Sequence, residues 1–306
     1  MIKLFKKKGS ALHKKLGIMN AVILIILIVY ALSMVLMLLW GLGASLKSRA
    51  NWLVDMLWAP KGWPWEWEWE NYSFVLKNFI LEVRDYYTAE EKTVSILGML
   101  WNSIAYALIG AFVVTAANMI GAYLVAKFKY AFSGFVYTLV LITMVTPVIG
   151  TTPAMILFLQ KCHLYDTMLG TYLMKFNFLG MYFLVFHASF KSISPEYTEA
   201  ATIDGANEMQ IFLRIMIPLI IPTFNTVLLI QFIGLWNDYN TALMYLPSHP
   251  TLSYGSYRMS TSTAGGMSRE PRRLAACMIV ALPIFVIFVL FRNKIMGNVT
   301  MGGVKE

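Results

Sequence analysis

The sequence predicts an all-α membrane protein, a polytopic bundle of six transmembrane helices. Of its 306 residues, 58% are hydrophobic and only 13% are charged, which is too apolar for an ordinary soluble domain. The charged residues cluster between long uncharged stretches, so the net charge of +9 indicates membrane topology rather than a nucleic-acid-binding surface. The composition therefore predicts the lipid bilayer as a partner and does not predict binding to nucleic acid.

Six segments are long enough and apolar enough to cross a bilayer, which takes about 20 residues of helix. Five of them contain no charged residue, and the fourth is interrupted by Lys175. The first follows a lysine-rich stretch, 1–15, but is longer than the ~7–15 apolar residues of a cleaved signal, so it predicts a retained anchor. The predicted spans are residues 16–46, 93–126, 130–160, 166–190, 215–237 and 274–291.

The basic residues predict which loops face the cytoplasm, because short cytoplasmic loops are rich in Lys and Arg. The N-terminus, the turn with Lys127 and Lys129, the loop 191–214 and the tail 292–306 are predicted inside. The segments 47–92 and 238–273 are then outside, although the second carries four arginines against the rule. Both termini are predicted to be cytoplasmic.

A tryptophan-rich motif lies in the predicted outer loop 47–92. Residues 63–69 read WPWEWEW, and their period of two with a proline predicts an extended edge at the outer membrane surface. The indoles either stack on a sugar or a docked partner, or anchor the chain at the interface. Cys162 and Cys277 occur without a CxxC pair and without a histidine at metal-ligand spacing, so both are interpreted as packing residues, with no metal site and no disulfide.

The cytoplasmic loop between the fourth and fifth spans carries the most specific pattern. Ser194 is a predicted N-cap followed by Pro195 and Glu196, which favours a helix start. Asp204 and Gly205 predict a turn, so the loop is expected to form two short helices. In the second, an apolar face is predicted at Met209, Phe212 and Ile215, and Pro218 and Pro222 are expected to bend the start of the fifth span.

This loop resembles the EAA motif of permease subunits of type I ABC importers, in which EAA is followed by three residues, Gly, nine residues, Ile, one residue and Leu-Pro. Position 217 is Ile where the motif has Leu. The wider pattern is similar to the maltose-type carbohydrate permeases, specifically the six-span partner of the pair. The matching residues are Glu199, Ala200, Ala201, Gly205, Ile215 and Pro218, with Asn102, Ser103, Trp236, Asn237, Asp238, Gly303, Val304 and Lys305 elsewhere.

The resemblance implies a bacterial plasma-membrane importer of a carbohydrate. The expected substrate is an oligosaccharide that an extracytoplasmic binding protein delivers. One flanking helix and a five-helix core would pair with a second permease and with two ATP-binding subunits. The coupling loop would include Asp204 besides the motif residues. Glu199 would meet a basic residue of the ATPase, while Ala200, Ala201 and Gly205 would allow close helix approach.

Catalysis by this chain is not expected. It has no GxxxxGK[ST] phosphate loop, so no cofactor is bound by the chain, and ATP and Mg are used by the partner ATPase. An intramembrane protease would need an HExxH or Ser–His pattern, which His13, His163, His187 and His249 do not form.

A permease for another small polar solute, such as glycerol phosphate, remains an alternative. An ion-coupled secondary transporter is a further one, although no uncharged span holds the paired carboxylates it would need.

Polar residues inside the spans are candidates for the substrate path, because such residues are costly in lipid. Each has an alternative role in satisfying a helix backbone, and Lys175 in reaching the interface. A denser cluster at the outer end of the fifth span would contact the binding protein, or would cap and anchor the helix. These candidates are Asn118, Thr146, Lys175, Asn177 and Gln231 in the spans, and Trp236, Asn237, Asp238 and Tyr239 at the outer end.

Overall fold

The computed structural model describes residues 18–128, 130, 132–146, 150–261 and 269–299, with the backbone alone for residues 18, 287, 288 and 290–299. The predicted basic segment 1–15, Lys129 and the tail residues 300–306 lie outside this range. The helices are α1 (Ile18–Ser45), α2 (Arg49–Val54), α3 (Glu70–Asn78), α4 (Ile96–Lys127), α5 (Ser133–Val145), α6 (Thr151–Lys161), α7 (Met168–Lys175), α8 (Met181–Ser192), α9 (Glu196–Ile203), α10 (Glu208–Ile211), α11 (Ile217–Asn237), α12 (Tyr239–Tyr245), α13 (Leu252–Thr261) and α14 (Glu270–Val299).

The central element is α4, whose 32 residues extend for ~48 Å at 1.5 Å per residue. It packs along α8 and α11, and α1 packs against α14. The N-terminal half of α4 contributes the fully buried Tyr106, Ala107 and Ala111 to one core, with Trp236 of α11. The C-terminal half contributes Tyr123 to a second core. Small residues such as Ala107 let neighbouring helices approach closely.

Three helices in the described residues are long and apolar enough to cross a membrane: Met19–Ser45, Ile96–Lys127 and Glu208–Asn237. They correspond to the predicted spans 16–46, 93–126 and 215–237. The segments 130–160 and 166–190 were predicted as single spans, but each contains two helices, α5 with α6 and α7 with α8. Gly150 begins α6 at φ +80°, and Asn177 accepts a hydrogen bond from the Leu179 N–H between α7 and α8. The span 274–291 lies within the longer α14.

An antiparallel hairpin precedes α4 and was not expected in an all-α fold. Strand β1 (Ile80–Arg84) pairs with β2 (Glu91–Ser95), with Val83 opposite Lys92. The connecting turn is fixed by Asp85, whose carboxylate accepts hydrogen bonds from the N–H groups of Tyr87 and Thr88 at 3.0 and 3.1 Å. These hydrogen bonds, first that from Thr88, lower the pKa of Asp85 to about 2.

The extended edge predicted for residues 63–69 is wrong. Pro64–Glu66 form a 3-10 turn, because the side chains of the motif bond back to its own backbone. Glu66 Oε2 accepts from the Trp63 N–H at 3.0 Å, and the indoles of Trp67 and Trp69 donate to the carbonyls of Gly62 and Pro64 at 3.3 and 2.8 Å.

Candidate functional site

The loop 191–214 forms two short helices at the C-terminal end of α4, as the sequence predicts. Ser194 Oγ accepts a hydrogen bond from the Glu196 N–H at 3.3 Å, which caps the start of α9. After α9, Gly205 adopts φ +80°, and a Cβ built there would meet nothing within 4 Å. Glycine is therefore needed at this position for its left-handed backbone and not, within this chain, for close packing.

A capping box starts the second short helix, and the sequence analysis missed it. Asn207 Oδ1 accepts from the Gln210 N–H, and Gln210 Oε1 accepts from the Asn207 N–H, both at 2.9 Å. The signal was present as Asn-x-x-Gln. The two caps define each helix of the loop from local sequence alone.

The transition into α11 differs from the sequence prediction. One π-helical turn, Phe212–Met216, joins α10 to α11. Ile211 and Met216 are buried, five residues apart as the wider turn requires, whereas Met209 is 64% exposed. The apolar face predicted at Met209, Phe212 and Ile215 is therefore wrong at its first member, although the other two pack against the second core. The helix runs continuously from Glu208 to Asn237 through Pro218 and Pro222.

Aromatic packing attaches the loop to α4. The Tyr123 ring lies 4.5 Å from Phe212 and 5.3 Å from Phe190, centroid to centroid. One turn further on, Lys127 Nζ donates to the Ile193 carbonyl at 3.0 Å. Contacts at both ends of the loop therefore hold it against the end of α4.

The small residues of the motif face in two directions. Ala201 is 7% exposed and belongs to the second core, so within this chain it packs inward and does not line a free surface. Glu199, Ala200 and Asp204 are exposed. Ile203 is 86% exposed at the tip of the loop, and sequence reasoning did not select it.

An open groove lies between the end of α4 and the loop. Two carboxylates, Glu199 and Glu208, line it together with Lys127. Its other lining residues are apolar or hydroxyl-bearing, so a long basic side chain fits it chemically. The full lining is Tyr123, Lys127, Phe128, Thr198, Glu199, Thr202, Ile203 and Glu208.

At the opposite end of the bundle, Asp238 and Lys175 form an ion pair, with Nζ and Oδ2 3.5 Å apart. The same oxygen accepts a hydrogen bond from the Tyr106 hydroxyl at 3.0 Å, and Asp238 caps α12 through the Thr241 N–H at 3.0 Å. The pair joins α7, α4 and the α11–α12 junction. The structure thus brings two predicted residues together in a contact that sequence reasoning did not predict, and Lys175 is oriented toward Asp238.

Several other path candidates satisfy backbone groups or pack in the core. Asn118 donates to the carbonyls of Val114 and Asn177 at 2.8 and 3.1 Å. Trp236 is 3% exposed in the first core. Asn237 is exposed and donates to the Ile233 carbonyl at 2.9 Å.

The remaining three candidates lie apart from that network. Thr146 is exposed at the end of α5, and Gln231 is half-buried in α11. Tyr239 stacks on Tyr257 with centroids 4.6 Å apart.

Asp166 is a further structural residue at this end, and the sequence analysis did not select it for a role of its own. Its side chain is 2% exposed and accepts from the Ser248 and Tyr86 N–H groups at 3.0 and 3.3 Å. Its own N–H donates to the Tyr245 carbonyl at 3.1 Å. These partners lie about 80 residues away, so no local pattern indicates the contact.

A helical bundle with a membrane-spanning centre and a capped helical loop held at one end defines the class of polytopic membrane proteins. Residues 117–299, more than half of the chain, match the family of binding-protein-dependent transport system inner membrane components. The chain belongs to this family.

Named relatives match most of the chain. It is 24% identical over 287 residues to the diacetylchitobiose uptake system permease protein NgcG of Streptomyces coelicolor, covering 90% of this chain and 86% of the relative. It is 27% identical to the maltose/maltodextrin transport system permease protein MalG of Vibrio vulnificus, covering 69% and 73%. A crystal structure of a bacterial ABC transporter that imports alginate matches 90% of this chain and 96% of that chain, at a TM-score of 0.71 and 21% identity.

These findings confirm the predicted membrane helical fold and the predicted family. The chain is a multi-pass inner-membrane component that works in a binding-protein-dependent transport system.

Proposed function

We propose that this chain is the permease subunit of an ATP-driven carbohydrate importer, with loop 191–214 as the contact to a separate ATP-binding subunit. The observation that carries this proposal is the packing of the Tyr123 ring against Phe190 and Phe212. It fixes the loop to α4, while Glu199 and Ile203 stay exposed. A projecting loop that is fixed to a membrane helix transmits motion without catalysing a reaction.

Within this proposal, Glu199 and Glu208 receive a basic side chain of the ATP-binding subunit in the groove, and Ile203 adds an apolar contact beside it. Gly205 sets the angle between α9 and α10. Ala200 and Asp204 lie on the exposed side of the same helix and turn, whereas Ala201, Ile215 and Pro218 shape the base of the loop. The chain itself binds no cofactor, and ATP and Mg act in the partner.

The assembly contains a second permease, two ATP-binding subunits and an extracytoplasmic binding protein. The loop end of α4 and both termini face the cytoplasm, and the hairpin end faces outward. The carbohydrate assignment is supported by relatives that are named for diacetylchitobiose and for maltose and maltodextrin, which favour an oligosaccharide over glycerol phosphate. Thr146, Gln231, Asn237 and Tyr239 remain the candidates for the substrate path.

Uptake in proteoliposomes that contain the four kinds of subunit tests the proposal, with labelled maltodextrin, diacetylchitobiose and glycerol phosphate compared. Gly205→Pro forces φ to about −65° where the chain has +80°. We expect it to abolish sugar uptake while the ATPase still hydrolyses ATP and the thermal midpoint of the bundle stays close to wild type. Gly234→Ala is the control, because Gly234 is an exposed helical glycine where an added Cβ would meet no neighbouring atom within 4 Å. This variant should retain uptake. Undiminished uptake by a well-expressed Gly205→Pro protein contradicts the proposal, and uptake of glycerol phosphate alone contradicts the substrate class.

A further inference from the structure

An exposed apolar surface lies on the segment that links α1 to the β1–β2 hairpin. Its side chains are 51–78% exposed, which is unusual for large apolar residues that adjoin one another in the chain. We call it the tryptophan patch, and it consists of Leu53, Val54, Met56, Leu57, Trp58, Trp63 and Trp65.

The backbone beneath the patch is held firmly against the end of α1. The Trp40 indole donates to the Met56 carbonyl at 3.1 Å, and the buried Lys47 donates through Nζ to the Asp55 carbonyl at 2.7 Å. Further along, the Glu68 N–H donates to the Leu46 carbonyl at 3.0 Å. The exposed side chains are therefore presented by an ordered segment at a fixed level of the bundle.

The patch continues the exposed apolar surface of α1. In the apolar window of α1 no residue is buried, and its large side chains, such as Leu36 and Leu39, are 61% and 57% exposed. Trp40, which is bonded to the segment of the patch, belongs to the same helix. The exposed apolar surface of α1 is thus continued along the chain by the exposed apolar residues of segment 53–58.

The indoles have the character expected at a membrane interface rather than in hydrocarbon. Trp63 and Trp65 stack in parallel, with centroids 5.2 Å apart and an interplanar angle of 1°. Among the described residues, neither has a hydrogen-bond acceptor for its indole N–H, and Lys61 and Glu66 beside them are exposed. An apolar ring with a polar N–H is favoured where lipid tails meet headgroups and water.

We infer that the tryptophan patch inserts into the headgroup–acyl boundary of the bilayer beside the C-terminal end of α1. It acts as an interfacial anchor that sets the depth of this end of the bundle. This inference goes beyond the proposed transport function and needs neither ATP nor sugar.

Spin-label accessibility of the full chain in phosphatidylcholine–phosphatidylglycerol nanodiscs tests the inference. Labels are placed one at a time at Leu57→Cys and Trp65→Cys in a background with Cys162→Ser and Cys277→Ser. Leu39→Cys in α1 is the lipid reference, and Glu82→Cys on the exposed face of β1 is the aqueous reference. Collision rates with oxygen and with a water-soluble nickel chelate are measured at each site.

We expect the oxygen-to-nickel ratio at Leu57 and Trp65 to shift from the Glu82 value toward the Leu39 value, with Leu57 shifted further. A ratio equal to that at Glu82 places the patch in water and overturns the inference. Low collision rates with both reagents show that protein covers the patch and overturn it as well. None of these outcomes depends on uptake, so they are separate from the test of the transport function.

Discussion

The two ends of α4 are built in different ways. At its C-terminal end the loop 191–214 is defined by local caps, a left-handed glycine and aromatic packing around Tyr123. At its N-terminal end, two carboxylates join segments that are far apart in sequence: the partly exposed Asp238 contacts Lys175 and Tyr106, and the buried Asp166 holds two loops. The first end leaves Glu199 and Ile203 exposed, as the proposed contact with a partner requires, and the second holds the connections between helices in place.

The largest effect is expected from removing the aromatic ring of Tyr123, which packs against Phe190 and Phe212. Tyr123→Ala removes a 5% exposed ring that contacts both ends of the loop, and such truncations cost about 4 kcal/mol. We expect faster hydrogen exchange in residues 196–211 and loss of coupled uptake. Tyr123→Phe keeps the ring and should behave as wild type. An alanine variant with unchanged exchange in the loop would show that other contacts fix it.

A smaller effect is expected from the carboxylate at the opposite end. Asp166→Ala leaves two N–H groups without their acceptors, at a cost of about 3 kcal/mol, and should lower the thermal midpoint. Asp166→Asn offers one carbonyl oxygen in place of two and should fall between alanine and wild type. Exchange in residues 196–211 should not change in either variant, since the contact lies at the other end of α4. Equal midpoints for all three proteins would contradict the role assigned to Asp166.

The smallest effect concerns the hairpin turn and pH. Because the pKa of Asp85 is lowered from 3.8 to about 2, its ionised form stabilises the folded turn. That stabilisation is fully present above pH ~4 and is lost as the pH falls through about 2. Carbon NMR of the Asp85 carboxyl group should show a midpoint close to 2, raised slightly by Lys92→Met. A midpoint near 3.8 would show that the hydrogen bonds from Tyr87 and Thr88 do not form in solution.

The contrast between the two ends also explains what the sequence could predict. The loop helices at 196–203 and 208–211 follow from Ser194, Gly205 and the Asn207–Gln210 box, all within a few residues of what they define. The spans α1, α4 and α11 follow from long uncharged runs. The ion pair of Lys175 with Asp238 spans 63 residues and the Asp166 contacts about 80, so no periodicity reveals them. The π turn at 212–216 changed the buried face because a 3.6-residue period was assumed there.

In the proposed transporter, the tip of loop 191–214 touches the ATP-binding subunit. A photo-crosslinking residue at Ile203, which is 86% exposed, tests it in the assembled transporter, with Glu82 in the hairpin as the matched exposed control. The account predicts a crosslink from Ile203 to the ATP-binding subunit and none from Glu82. An intact, transport-active complex in which Ile203 gives no such crosslink, while Glu82 does, would contradict it.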